Sequence, residues 1–287
     1  MPWPFSGDDA LLYSLVVAAR AFWITGPRRC EVRSEPLGRR ETGEVEVRTI
    51  YSAVSRGTEA LVFAGHVSAS EWERMRCPHQ EGAFPGPVKY GYSNVGRVVD
   101  GPEALEGRVV FCLYPHQTSF IVPEADVVCV PDDVPPARAV LAANMETALN
   151  ALWDAAPFAG DCISIVGAGV IGCLCAYLAR QIPATEVELI DVHAGRAEVA
   201  RALGVPFVDP AHAARERDVV MHASATEAGL RTALSLAATD ATILELSWFG
   251  DAAVSLHLGE AFHARRLCLR SSQVGTVSPR ARRRWTR

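Results

Sequence analysis

The sequence predicts an α/β chain in two parts: a β-rich N-terminal region, then a doubly wound parallel sheet of six strands. Three observations carry that expectation. From about residue 21 to 130, short apolar or alternating runs recur between Gly- and Pro-containing turns, the pattern of a small barrel or sandwich. From residue 162 onward, short β-favouring runs alternate with helical stretches, as in a parallel sheet covered on both faces. Between the two, residues 137–156 contain no Gly or Pro and are rich in Ala and Leu, so they read as one linking helix.

In chain order, residues 21–37 (AFWITGPRRCEVRSEPL) read as two strands joined by a Gly-Pro turn. Residues 44–51 alternate as a half-buried strand does. Residues 55–69 are mixed and residues 76–89 are loop-rich around Pro78, Pro85 and Pro87. Further short strands are expected at 92–99, 109–113, 118–122 and 127–130. The parallel sheet is expected to use residues 162–166, 187–190, 207–208, 219–223, 242–246 and 267–270, with helices at 171–181, 196–203 and 227–238.

The most informative stretch is CISIV-GAGVIG, residues 162–172. A strand gives way to Gly167, Gly169 and Gly172 in G-x-G-x-x-G spacing where a helix should begin. The first glycine makes the tight turn, the second admits a pyrophosphate close to backbone N–H groups, and the third lets helix and sheet pack closely. Val170 and Ile171 complete the loop and open the helix. The second strand of the sheet ends on Asp191, an acid placed to accept both hydroxyls of an adenosine ribose. Asp191 would repel a 2′-phosphate, so NAD is favoured over NADP. Arg196 either approaches the adenine or is a solvated helix residue. Because doubly wound sheets bind ligands at the carboxyl ends of their strands, Ser224, after the fourth strand, and Trp248, after the fifth, are candidate cofactor contacts. Trp248 could equally be a domain-interface aromatic.

Composition narrows the partners. The chain has 287 residues, 49% hydrophobic and 21% charged, which suits one large or two ordinary domains. Its formal net charge of −5, with the one basic run confined to residues 280–287, argues against a nucleic-acid partner. The apolar run at 11–19 is too short to span a bilayer and follows Asp8 and Asp9, so residues 1–20 are taken as an appendage, not a targeting segment. The eight cysteines form no C-x-x-C pair and mostly lie in apolar runs. That fits reduced, buried thiols in a cytoplasmic protein.

With these motifs in order, the chain resembles the medium-chain dehydrogenase/reductase superfamily, the alcohol dehydrogenase and quinone oxidoreductase relatives. The resemblance covers roughly residues 21–275 and is carried by SAVSRGTE (52–59), GYSNVGRV (91–98), Glu146-Thr147-Ala148, the glycine motif, and Asp191 followed by Arg196. The GTE motif also gives some likeness to bacteriochlorophyllide dehydrogenases. The resemblance implies a GroES-like catalytic domain (21–150 with the linking helix) and a Rossmann dinucleotide domain (151–287). It implies, too, a homodimer through the sixth strand and a Thr147 hydroxyl near the nicotinamide. Superfamily members continue after the sixth strand with a helix and a return segment. Residues 277–287 look like the start of that helix, so the return segment is expected to be missing.

The departures concern the metal. Zinc members carry a Cys in the segment matching Ser55-Arg56, Gly-His-Glu where this chain has Gly91-Tyr92-Ser93, and a third ligand where it has Ala143. Only Cys112 falls where a four-cysteine structural lobe would lie. No zinc is therefore expected. Tyr92, in place of the histidine ligand, could donate to a carbonyl oxygen or relay a proton, or could be a packed aromatic. Arg56 and Glu59, on the loop of the missing cysteine, are catalytic candidates or a structural ion pair. Glu146 is a further catalytic candidate or a helix detail. His79 and His116 lie in Pro-rich loops, a setting where site residues occur.

The expected activity is zinc-independent hydride transfer between NAD(H) and a carbonyl, alcohol or activated alkene of a small molecule. The rivals are a non-catalytic NAD-binding protein of the same fold and a zinc enzyme with displaced ligands.

Overall fold

The computed structural model describes residues 18–285. The expected appendage, residues 1–20, falls outside them except for its last three residues, which open the first strand. Nine strands build the N-terminal region. A hairpin of β1 (Ala18–Gly26) and β2 (Arg29–Pro36) is followed by β3 (Glu44–Ser52) and the short β4 (Glu81–Gly82) and β5 (Val88–Lys89). Then come β6 (Asn94–Asp100), β7 (Val109–Cys112), β8 (Ser119–Pro123) and β9 (Val127–Cys129). They form a four-stranded sheet ordered β2-β1-β5-β4 and a five-stranded sheet ordered β8-β3-β6-β7-β9. A bridge between Ala21 and Gln117 joins the two into a curled, GroES-like half-barrel. The period-2 pattern of β3 puts Val45 and Val47 into a core with Val98, Val110, Phe120 and Val122.

Lys89 is fully buried in this region. Its Nζ donates to Glu35 Oε2 at 2.9 Å and to Gln117 Oε1 at 2.7 Å, and it also pairs with Glu81. A cation taken this far from water is tolerated because every donor finds an acceptor.

Residues 55–69, mixed in sequence, contain helix α1 (Arg56–Ala64), which ends on Gly65 in the left-handed conformation. The linking helix is in two pieces, α2 (Pro136–Ala139) and α3 (Ala142–Ala155), where one continuous helix was expected. The break coincides with a contact from outside the helix. The Val140 carbonyl accepts the Ser93 hydroxyl from β6's approach, a partner lying outside the helix.

The second part follows the expected alternation. Strands β10 (Cys162–Val166), β11 (Glu186–Ile190), β12 (Phe207–Val208), β13 (Arg217–His222), β14 (Ala237–Glu245) and β15 (Cys268–Ser271) pair in parallel, ordered β12-β11-β10-β13-β14-β15. This is a Rossmann sheet whose strand order reverses between β10 and β13. Helices α4 (Val170–Ala179), α5 (Ala197–Ala202) and α6 (Glu227–Leu236) cover it. Strand β14 begins at Ala237, inside the stretch expected to finish the preceding helix. Residues 279–284 form turns, not the expected helix start, and bring Trp285 to stack on Trp153 of α3 at 5.9 Å.

The cysteines correct one expectation. Cys77, Cys112, Cys173 and Cys175 are buried, but Cys30, Cys129 and Cys268 are exposed, and all eight are free. Among the described residues, no helix is long and apolar enough to cross a membrane.

Candidate functional site

At the carboxyl end of β10 the chain turns at Gly167, whose φ of 110° favours glycine. A Cβ there would stand 2.7 Å from the Ser224 nitrogen, so the loop lies directly against the residues following β13. A Cβ on Gly172 would overlap the Gly167 carbonyl, so this glycine is what lets α4 close on the loop. Gly169 behaves differently. Nothing lies within 4 Å of where its Cβ would be, and as N-cap of α4 it supplies no side chain to the first-turn N–H groups. Open space beside uncapped donors at a helix N-terminus suits a pyrophosphate. Val170 at the start of α4 is exposed and Ile171 half-buried.

Asp191 follows β11 and is nearly buried. Its Oδ2 accepts from the Ala168 nitrogen at 2.8 Å and from Arg196 Nη1 at 2.6 Å, and its Oδ1 accepts from the His193 nitrogen at 2.9 Å. Arg196 is thus tied to the acid and is not the freely solvated residue that was its alternative reading. The acid in turn holds the glycine loop through Ala168.

Ser224 belongs to a network that sequence reasoning missed. His222, the last residue of β13, is fully buried, with Nδ1 2.7 Å from Glu245 Oε2 and Nε2 2.6 Å from Ser224 Oγ. Ser224 Oγ is 2.9 Å from Thr226 Oγ1, and Ser247 donates its N–H to Glu245 Oε1 at 2.7 Å. His222 and Glu245 are direct register partners at the ends of neighbouring strands. Two ionisable residues ending adjacent apolar strands are a signal, but only once the register is known.

The second cluster lies in the N-terminal region. Tyr92 is half-buried, with the Ser55 and Thr58 hydroxyls close to its phenol. Burial raises its pKa, the charge of Glu59 adds to that, and the two hydroxyls oppose it. Glu59, 8% exposed, does not pair with Arg56. It accepts the Ser55 N–H at 2.7 Å, and its other oxygen lies 2.6 Å from His116 Nε2. His116 Nδ1 is 2.5 Å from Ser52 Oγ, so a Glu59–His116–Ser52 chain runs from the interior to an exposed hydroxyl. Gly91 makes room for the His116 ring, which a Cβ would meet at 2.9 Å. Arg56 is exposed at the start of α1. His79 lies apart, paired with Asp126 at 3.1 Å.

Trp248 joins the two clusters. It packs with Ile24, Val62, Tyr90 and Tyr92 in one apolar group, the domain-interface placement. Thr147 turns its hydroxyl back to the Ala143 carbonyl of its own helix at 3.1 Å, beside a half-buried Glu146.

Zinc does not fit this donor set. At the positions that the resemblance matches to the metal ligands stand Ser55 or Arg56, Tyr92 and Ala143, none of them the expected ligand type. Among the described residues no three His, Cys, Asp or Glu side chains come together to hold a metal.

No family model matches the chain. It is 34% identical over 108 residues to an L-threonine 3-dehydrogenase of Chelativorans sp. strain BNC1, a match covering 37% of this chain and 30% of that relative. The matched stretch thus spans about a third of the length of such curated relatives. In structure it is similar to a putative zinc-binding dehydrogenase of Sinorhizobium meliloti 1021 bound to NADP, with a TM-score of 0.73 and 18% identity over 93% of this chain and 86% of the other. It is also similar to a short chain alcohol dehydrogenase of E. coli CFT073 complexed with NADH, with a TM-score of 0.71 and 16% identity over 90% and 84%. The sequence relatives are dehydrogenases, and the solved structures share the two-part fold.

Proposed function

We propose that the chain is a nicotinamide-dependent oxidoreductase that interconverts carbonyls and alcohols of small molecules without zinc. The observation that carries this reading is the open glycine cradle at α4, with Asp191 on one side and, past Ser224, the Ser247-Trp248 loop on the other, whose tryptophan packs on the same apolar cluster as Tyr92. When bound, the nicotinamide supplies or accepts the hydride. The chain's own residues do the rest. Gly167, Gly169 and the first turn of α4 hold the pyrophosphate, and Asp191 takes the adenosine ribose. NAD is the preferred form, although Arg196 offsets part of the Asp191 charge that would repel a 2′-phosphate.

Tyr92 takes the place of the metal. Its raised pKa keeps the phenol protonated at neutral pH, so it donates a hydrogen bond to the substrate oxygen. Glu59 and His116 hold the next proton, and Ser52 connects it to solvent. The free cysteines support a reducing compartment, the cytoplasm, and the unpaired outer edge of β15 supports a homodimer through that strand.

One observation favours a different reading. The Ser55 and Thr58 hydroxyls stand close to the Tyr92 phenol and would compete with a substrate oxygen for it, as in a nucleotide-binding protein without turnover. Titration with NADH and NADPH, followed by nicotinamide fluorescence, tests the shared premise, and failure of both to bind below millimolar concentration would sink it. A panel of carbonyls and alcohols then separates the two readings. Tyr92→Phe should lower kcat about 100-fold or more while leaving NADH affinity unchanged. Elemental analysis finding one zinc per chain would overturn the metal-free assignment.

A further inference from the structure

The buried His222–Glu245 pair has no part in the scheme above, yet it lies where the cofactor changes charge. Asp191 fixes the adenosine side at β11, and the glycine loop carries the pyrophosphate over β10. The nicotinamide half therefore falls across the strand-order reversal, at the ends of β13 and β14. His222 and Glu245 end those strands, and Gly167 touches Ser224 one hydrogen bond from the imidazole. We propose that this pair senses the redox state of the nicotinamide, binding the oxidised cofactor in its anionic form. The inference rests on the cofactor reading above.

The hydrogen bonds permit two protonation states without moving a heavy atom. With neutral His222, Nδ1–H donates to Glu245 and Nε2 accepts the Ser224 hydroxyl, so the pair carries one negative charge. With the imidazolium, Nε2–H donates to Ser224 Oγ, and the Ser224 hydroxyl turns to Thr226 Oγ1, so the pair is neutral. Both states are fully bonded, and Ser224 is the rotor between them. An oxidised nicotinamide ring is positively charged and a reduced one is not. Oxidised cofactor therefore binds best to the anionic pair and releases a proton, whereas reduced cofactor is indifferent to it.

Among the described residues at this end of the parallel sheet the pair is the charge left without a counter-charge, and His222→Gln separates it from the Glu59–His116 chain of the N-terminal region. Strand β10 sets Val166 beside His222, α6 presents the Gly229 backbone and Thr226, and the loop after β14 presents Ser247 and the Phe249 ring at 6.1 Å. Glu245 is the charged side chain bonded to it. Asp191 at the same end of the sheet is paired with Arg196, and Glu227 in the first turn of α6 with Arg231.

The test compares Kd for NAD⁺ and NADH on the full chain between about pH 5.5 and 8.5, where imidazoles titrate. Taking the ratio of the two constants cancels every group that faces the shared adenosine and pyrophosphate. The ratio Kd(NAD⁺)/Kd(NADH) should fall about fivefold or more as pH rises. It should be flat in His222→Gln, and in Ser224→Ala, which removes the acceptor for the imidazolium, its inflection should move to lower pH. A pH-independent ratio in the parent chain overturns the inference while leaving the cofactor site standing. So does a His222→Gln variant that keeps the pH dependence. If that variant does not fold, an unmoved inflection in Ser224→Ala overturns it instead. Absence of binding by either nucleotide sinks the cofactor reading and the inference with it.

Discussion

A methyl group on Gly169 would meet open space, whereas one on Gly172 would overlap the Gly167 carbonyl. The two glycines are therefore separable by experiment. Gly169→Ala should keep the parent melting temperature and lose about tenfold or more in NADH affinity, because its methyl occupies the space left for the pyrophosphate. Gly172→Ala should lower the melting temperature as well. The turn at Gly167 and the close packing at Gly172 were legible in the sequence, since spacing, strand and helix all lie within a few residues. Tyr92 was legible only through the resemblance. His222 and Glu245 were not legible at all, for they stand 23 residues apart and meet only through the β13–β14 register. An ion pair of Glu59 with Arg56 on its own loop was one of two readings, but the Glu59 partner, His116, comes from 57 residues away, with Gly91 leaving room for the ring.

At the scale of elements, what composition could see was periodicity, and what it missed was contacts made at a distance. The six strands of the parallel sheet were placed within a few residues because buried parallel strands are continuous apolar runs. The linking helix was drawn as one because nothing between residues 137 and 156 breaks a helix locally. The break coincides with a bond from Ser93, which captures the Val140 carbonyl from 47 residues away. Ser93→Ala would leave that buried carbonyl without its partner and should cost about 1–3 kcal/mol, read as a lower denaturant midpoint at unchanged m-value. Helix α1 escaped notice because its apolar positions are few and its stop, Gly65, reads equally well as a turn.

For the whole molecule, the two parts are held by more than the linker. Asp154 of α3 accepts from Arg270 Nη2 at 3.1 Å and from Ser272 Oγ at 2.7 Å, tying the linking helix to the far edge of the parallel sheet. The Trp248 loop adds a second junction, with the Gly250 backbone against His66 and a His66–Asp251 pair at 3.1 Å. A cofactor lodged between the two parts should stabilise both together. NADH at about 100 times its Kd should add about 2.7 kcal/mol, seen as a single cooperative transition raised by about 4–5 °C. Two separate transitions, only one of them shifted, would show that the parts unfold independently.

The exposed thiol of Cys268 gives the outer edge of the sheet a built-in reporter. Among the described residues, strand β15 has a neighbour on one side only, and Cys268, its first residue, is exposed, as are Cys30 on β2 and Cys129 on β9. Maleimide labelling of the undenatured protein therefore carries its own internal controls. If two copies pair through β15, Cys268 should label several-fold more slowly than Cys30 and Cys129, and dilution should erase the difference. Equal rates at every concentration would show that edge bare.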